Sequence, residues 1–307
     1  MRALLVLVTV GFAAQLVDGA LGMAYGATSS SLVLAYGLSP AMASASVHMA
    51  ELGTTLASGV SHWRFGNVEW QTVRRIAIPG AVGAFLGAVV LSSVSSELAR
   101  PWMAGVLLLL GGYILVRFTL GRPPQAKGTP YFRIRHMTPL GLGAGFVDAT
   151  GGGGWGPVAT PTLLSTGKIE PRKVVGSVDT SEFVVALAAS AGFLLALGHQ
   201  GIDFTVVAAL LAGGLVAAPL AAWLVQRITA GLLGSLVGGL IVVTNVRTMF
   251  SAFEVAGAAR WPAYAAVAAI WALAVGIVVR RHRRNGIPLT SPRPQRPVGQ
   301  PAQETAG

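Results

Sequence analysis

Apolar residues run along this chain in stretches too long and too uniform for the amphipathic elements of a water-soluble fold. Seven of them, at about 43–61, 72–92, 101–118, 174–197, 203–225, 230–247 and 262–280, approach the roughly 20 residues that a helix needs to cross hydrocarbon. Two more, about 3–37 and 137–165, exceed one ordinary span and are broken by glycine, between Asp18 and Gly26 and between Asp148 and Gly156. Each is either a discontinuous helix that crosses or a helical hairpin that enters and leaves on one side. The fold class predicted is an all-α polytopic membrane protein.

The two interruptions are copies of one unit. Asp18, Gly22 and Gly26 fall on Asp148, Gly152 and Gly156 at a shift of 130 residues. One residue of slippage later, Pro40, Ser46 and Glu51 fall on Pro171, Ser177 and Glu182 at a shift of 131, and His48 falls on Asp179. The first 20 residues have the apolar, small-residue character of a leader. The return of Asp18 and Gly22 in the second copy instead places them in the working protein.

Charge assigns the orientation of the copies. In the first, the loop after the second element is basic (Arg64, Arg74, Arg75) and the loop before it, 37–41, is neutral. In the second this reverses: Lys168, Arg172 and Lys173 precede the corresponding element, and 198–202 carries no Lys or Arg. Cytoplasmic connections collect Lys and Arg, so the copies are inverted, which requires an odd number of crossings in each. One glycine-broken hairpin plus three transmembrane helices per repeat meets that condition. It leaves only Arg2, Arg100, Arg247 and Arg260, 4 of the 22 Lys and Arg, on the outer side.

The chain therefore divides into a first membrane repeat over 1–118, a basic cytoplasmic linker over 119–136, a second repeat over 137–247, an additional transmembrane helix within 248–281 and a basic tail over 282–307. Pro123-Pro124 in the linker cannot continue a helix. The tail is rich in Pro, Arg and Gln and is expected to be disordered, since it has no apolar surface to bury. The basic loops and tail point to a bacterial-type inner membrane with the C-terminus in the cytoplasm.

Composition narrows the function. Hydrophobic residues make up 53% of the chain and charged residues 11%, against roughly 25% charged in a soluble domain. The net charge of +11 sits in short loops and in Arg280-Arg281-His282-Arg283-Arg284 beside an apolar span. That placement suits an anionic lipid leaflet and excludes nucleic acid as a partner. With no cysteine there is no disulfide, thiolate metal site or thiol nucleophile. No His-Glu-x-x-His pair, nucleophile elbow or phosphate loop is present, so neither an enzyme, a metal site nor a cofactor is implied. The partners expected are the lipid bilayer and a small solute; a homo-oligomer is left open.

Of the eleven acids, five lie at membrane depth: Asp18, Glu51, Asp148, Asp179 and Glu182. A lone carboxylate in hydrocarbon costs at least about 2.5 kcal/mol, so such groups face water, a partner or backbone donors. His48 with Glu51, and Asp179 with Glu182, stand three residues apart and share a helix face. These four are the candidate proton carriers.

The glycine breaks are the candidate anion site, because an interrupted helix exposes N–H groups and a positive dipole end without any Lys or Arg. Asp18, Gly19, Gly22, Asp148, Thr150, Gly151, Gly152, Gly153 and Gly154 are its candidate contacts, together with the recurring hydroxyls Ser46 and Ser177. Asp18 and Asp148 serve either as caps of the half-helices that follow them or as direct participants. Gly80, Gly83, Gly87, Gly213 and Gly214 are expected to be close helix contacts.

At these residues the chain resembles the TauE/SafE family of membrane permeases. The likeness rests on Gly11-Phe12, Asp18-Gly19-Ala20-Leu21-Gly22, Ser44-Ala45-Ser46-Val47, Gly143 to Gly156 and Val175-Gly176-Ser177, and spans roughly 5–280. Family members commonly carry a glycine pair after the apolar start, where this chain reads Asp18-Gly19-Ala20-Leu21-Gly22. The resemblance implies transport of sulfur-containing anions such as sulfite or organosulfonates. The reading is a secondary transporter coupled to protons; a passive anion channel and a non-transporting membrane scaffold subunit are its alternatives.

Overall fold

The computed structural model describes residues 2–21, 23–121, 134–166, 169–198, 202–225, 229–255 and 257–284. Among these there are eleven α-helices and no strand. The linker residues 122–133, Gly22, Lys168 and the tail from Asn285 onward lie outside the described residues, and with them the expectation of a disordered tail.

Both broken segments resolve into a long arm and a short arm. The first is α1 (Arg2–Leu21) followed by α2 (Tyr25–Tyr36); the second is α6 (Ile134–Gly151) followed by α7 (Trp155–Ser165). At about 1.5 Å per residue the short arms reach only about 16–18 Å, too little to cross hydrocarbon alone. Each pair leads into a long helix that opens on proline, α3 (Pro40–Arg64) and α8 (Pro171–Leu197). Proline suits the first helical turn because the N–H it lacks has no partner there. Ser39 caps α3, its hydroxyl oxygen accepting from Met42 N–H at 3.3 Å. The remaining helices are α4 (Trp70–Ser93), α5 (Ser96–Leu120), α9 (Phe204–Val225), α10 (Ala230–Ala252) and α11 (Arg260–Arg284).

Five helices among the described residues are long and apolar enough to cross a membrane: 70–93, 96–120, 173–197, 231–252 and 260–284. The stretch expected as a span at 43–61 is the middle of α3, which is as long but carries Ser44, Ser46, His48, Glu51, Thr54 and Thr55, all buried. Its first half, 43–55, lies between two apolar clusters, whereas Leu56 and Val60 in its second half are exposed. Val47 and Ala50 join the cluster around α1, α2, α9 and α10, while Ala45 and Met49 join the one around α4, α6, α7 and α8.

Long-range helix contacts pair the two halves reciprocally. The long arm α1 packs along α9, and α6 packs along α4; α3 meets α8, and α5 meets α10. Glycine makes the first two pairings close. A Cβ at Gly83 would strike the Leu142 backbone and one at Gly145 the Gly80 carbonyl; across the molecule, Gly11 faces the Leu210 backbone and Gly213 the Val8 carbonyl. The outer surface is apolar, with Leu109 76% and Leu195 75% exposed, which suits lipid and not water. In α11 only Ala274 and Val278 are buried, as expected of a helix added outside the repeats.

Replacing Gly83 or Gly213 with Leu should force its helix pair apart. Overfilling a tight interior typically costs about 1–3 kcal/mol, and a clash with backbone belongs at or above the upper end. The expected outcome is a lowered melting temperature in detergent for either variant. Gly276→Leu, whose Cβ meets nothing within 4 Å, should melt like the wild type.

Candidate functional site

The second break is organised by Asp148. Its main-chain oxygen accepts from Gly152 N–H at 2.7 Å and Gly153 N–H at 3.0 Å, closing α6. Its side-chain Oδ1 accepts from Gly154 N–H at 2.6 Å and Trp155 N–H at 2.9 Å, opening α7. One residue therefore takes all four amides of the break. Gly152 and Gly153 have φ of 73° and 147°, values that side chains disfavour, so the chain reverses here at low cost only with glycine. Trp155 is then fixed by an Nε1–H bond to Val178 O at 3.1 Å, and its ring occupies the space that a side chain at Gly80 would fill.

The first break follows the same plan more loosely. Asp18 Oδ1 accepts from Tyr25 N–H at 3.2 Å, across Ala24, which has φ of 94°. Both aspartates thus make the hydrogen bonds of helix caps, and the helix ends that sequence offered as anion sites are occupied in this conformation by the protein's own carboxylates.

The two breaks touch. A Cβ on Gly26 would lie 2.7 Å from Gly153 Cα, 2.9 Å from Glu51 Oε1 and 3.2 Å from Gly152 O. Ser30 on α2 donates its hydroxyl to Gly152 O, and Ser44 on α3 donates to Ala149 O at 2.6 Å. His48, one turn along α3, spans the remaining gap. Its Nδ1 stands 2.8 Å from Ser44 O and its Nε2 stands 3.1 Å from Asp148 Oδ2, with both side chains buried. The carbonyl can only accept, so Nδ1 carries hydrogen. The contact between Nε2 and the carboxyl then needs a further proton, which makes the pair either imidazolium with carboxylate or imidazole with carboxylic acid.

The other acids gather around this pair. Glu51 lies within electrostatic reach of His48, Asp148 and Asp18; Glu182 within reach of Glu51, Asp18, Asp148 and Asp179; and Asp179 within reach of Asp18. The six titratable residues singled out from sequence therefore act on one another from both halves, and among the described residues no Lys or Arg acts on them. Glu51 is 1% exposed and neither of its oxygens has a hydrogen-bond partner; Asp179 Oδ2 is also buried without one. Among the described residues, no three of the acids and histidines are arranged to hold a metal ion.

The other sequence candidates divide. Gly153 is at the crossing, and Gly152 gives its carbonyl to Ser30. Gly151 faces Val106 on α5, and Thr150 returns its hydroxyl to Phe146 O at 2.8 Å. Ser46 Oγ is buried and unpartnered. Ser177 Oγ accepts from Glu69 N–H at 2.8 Å and so holds the start of α4. Gly19 lies in the last turn of α1, and Gly22 falls outside the described residues.

Sequence reasoning missed Tyr25, Ser30, Ser44 and Asn245. Tyr25 OH is buried without a partner, and Asn245 Nδ2–H donates to Ser31 Oγ at 2.7 Å, tying α10 to α2. Tyr25 had a signal, since it falls on Trp155 at the repeat shift. Ser44 stood in the motif Ser44-Ala45-Ser46-Val47 without being singled out, and Ser30 had no signal beyond the apolar company it keeps.

Comparison with known proteins agrees with this architecture. The family model described as sulfite exporter TauE/SafE matches residues 7–248. The chain is 52% identical over 283 residues to the probable membrane transporter protein YtnM of Bacillus subtilis (strain 168), covering 92% of this chain and 94% of that one. It is 29% identical over 140 residues to the probable membrane transporter protein YdhB of the same organism, covering 45% of this chain and 56% of that one. No solved structure matches the chain.

The ion pair and the hydroxyl of Thr150 should separate sharply on mutation. His48→Leu leaves the buried Asp148 carboxyl without its imidazole partner, and breaking a buried pair typically costs about 3–5 kcal/mol. Unfolding titrations in mixed micelles are expected to show that loss. Thr150→Val removes a bond made within its own helix and should stay within about 1 kcal/mol of wild type.

Proposed function

The chain belongs to the TauE/SafE family and is a multi-pass membrane transporter; on that premise we propose that it moves small sulfur-containing anions, sulfite or organosulfonates, with protons as the coupling ion. The observation that carries this reading is the meeting of acids from both halves at two touching helix breaks, where His48 is the one basic side chain found among the described residues acting on them. An anion cannot approach ionised carboxylates in a low-dielectric site, so it enters together with protons. Protonation of a capping carboxylate also weakens its hold on the amides of the break, and those amides then become donors for the oxyanion. Proton and anion are thereby obliged to bind together.

In this reading the halves are inverted repeats, each a re-entrant hairpin and three spans, in the bacterial inner membrane with the C-terminus in the cytoplasm. Its support is the reciprocal contact of α1 with α9 and of α6 with α4, joined to the opposite charge of equivalent loops. Rocking one half against the other about the crossing would expose the acids to each side in turn.

The test is sulfite flux in proteoliposomes of purified protein, with and without an imposed pH gradient. Saturable flux accelerated by the gradient is expected; flux that does not saturate would identify a channel, and no flux with sulfite or with simple sulfonates would overturn the substrate reading. Glu51→Gln and Glu182→Gln should each flatten the dependence of flux on pH. An unchanged profile in both would remove them from the proton path.

A further inference from the structure

A narrow crevice of about 170 Å³ lies between the second half of α3 and the first half of α8, with Trp70 at the start of α4 completing its lining. Its tight side is made by Thr55, Gly59 and Thr180, where a Cβ on Gly59 would stand 3.4 Å from Thr180 Cα. Leu56 and Val60 also line it and are exposed, so it opens on the apolar outer surface. The walls offer hydrocarbon and few hydrogen bonds. Thr55 donates its hydroxyl to Glu51 O and Thr180 donates to Gly176 O, each at 2.6 Å, so both hydroxyl hydrogens are used within their own helices. A polar solute would lose its water here with little in exchange, whereas a run of methylenes loses nothing.

One end of the crevice has the chemistry of a headgroup site. Trp63 and Trp70 line that end and are 58% and 47% exposed, and tryptophan is enriched where hydrocarbon meets headgroups. Arg64 follows Trp63, and Arg74 stands one turn beyond Trp70, its Nε–H donating to Trp70 O at 3.4 Å. Both arginines are exposed, and neither has an ion pair among the described residues. The segment 62–75 carries Arg64, Arg74 and Arg75 against a single acid, Glu69.

We propose that this crevice binds one anionic phospholipid, with an acyl chain seated between α3 and α8 and the phosphate held by Arg64 and Arg74. The guanidinium fork matches phosphate oxygens, and it keeps its charge at any working pH. A second copy of this chain is the poorer occupant. Inserted in the same sense, it would bring its own arginines to the same level and set like charges together. Because α3 belongs to the first half and α8 to the second, the bound lipid packs against both. The proposal rests on the chain's place in a bilayer and is independent of what is transported.

Native mass spectrometry of the full chain reads lipid adducts and oligomeric state together. The protein is released from detergent with added phosphatidylglycerol or phosphatidylcholine of the same chain length. The wild type should retain one phosphatidylglycerol in preference to phosphatidylcholine. Arg64→Gln combined with Arg74→Gln should weaken phosphatidylglycerol binding roughly 30-fold, as two lost contacts between arginine and an anionic headgroup imply. Val60→Trp, which adds a ring at the open side of the crevice, should lose the preferred adduct. Arg280→Gln combined with Arg283→Gln removes the same charge from exposed positions at the end of α11 and should leave the preference unchanged.

Equal losses in the two arginine pairs would reduce the effect to general attraction and overturn the proposal. A wild type that holds both lipids alike would do the same. A dimer that Val60→Trp dissociates while the phosphatidylglycerol adduct persists would make the crevice an interface between copies, and would also overturn it. Should Val60→Trp not fold, the two arginine pairs, which alter exposed side chains alone, carry the test.

Discussion

Everything at the centre of this protein depends on one buried carboxylate. Asp148 closes α6 with its main-chain oxygen, opens α7 with Oδ1 and meets His48 with Oδ2. A break in a helix at membrane depth exposes amides that hydrocarbon cannot satisfy, and a charge in the same place has no water to hold it. Bringing the two together solves both problems. The amides stabilise the carboxylate, the carboxylate satisfies the amides, and the imidazole from the other half completes the balance.

That solution works only if the backbones approach closely. Gly26 against Gly153 brings the breaks together, Ser30 and Ser44 bind the carbonyls of the second break, and the glycines of α1, α4, α6 and α9 bring the long arms against their partners. Helices in lipid gain little from burying apolar groups, so association rests on close van der Waals contact and interhelical hydrogen bonds. The hydroxyls of Thr28, Ser29, Ser30 and Ser31 follow the same logic. They make α2 a poor membrane-facing helix and a good interior one, and all four are buried.

The halves then diverge. Asp148 is held on three sides, while Asp18 has one longer bond. Two near-copies meeting at a single site thus differ in how firmly their helix ends are held.

Much of this was legible in the sequence. The apolar runs gave the helices to within a few residues, and the paired breaks appear between α1 and α2 and at 152–154. These features are local or compositional: span length, glycine at a positive φ and the cost of a lone acid act wherever the chain folds. The sequence ranked α3 with the other spans and did not show that its first half is buried between the two apolar clusters. What tertiary structure alone decided is who meets whom. That Ser177 holds the Glu69 amide at the start of α4 and that His48 finds Asp148 are matters of contacts 108 and 100 residues apart. Equivalent positions in a repeat share a local pattern. Their partners come from the other half, and the other half is not identical.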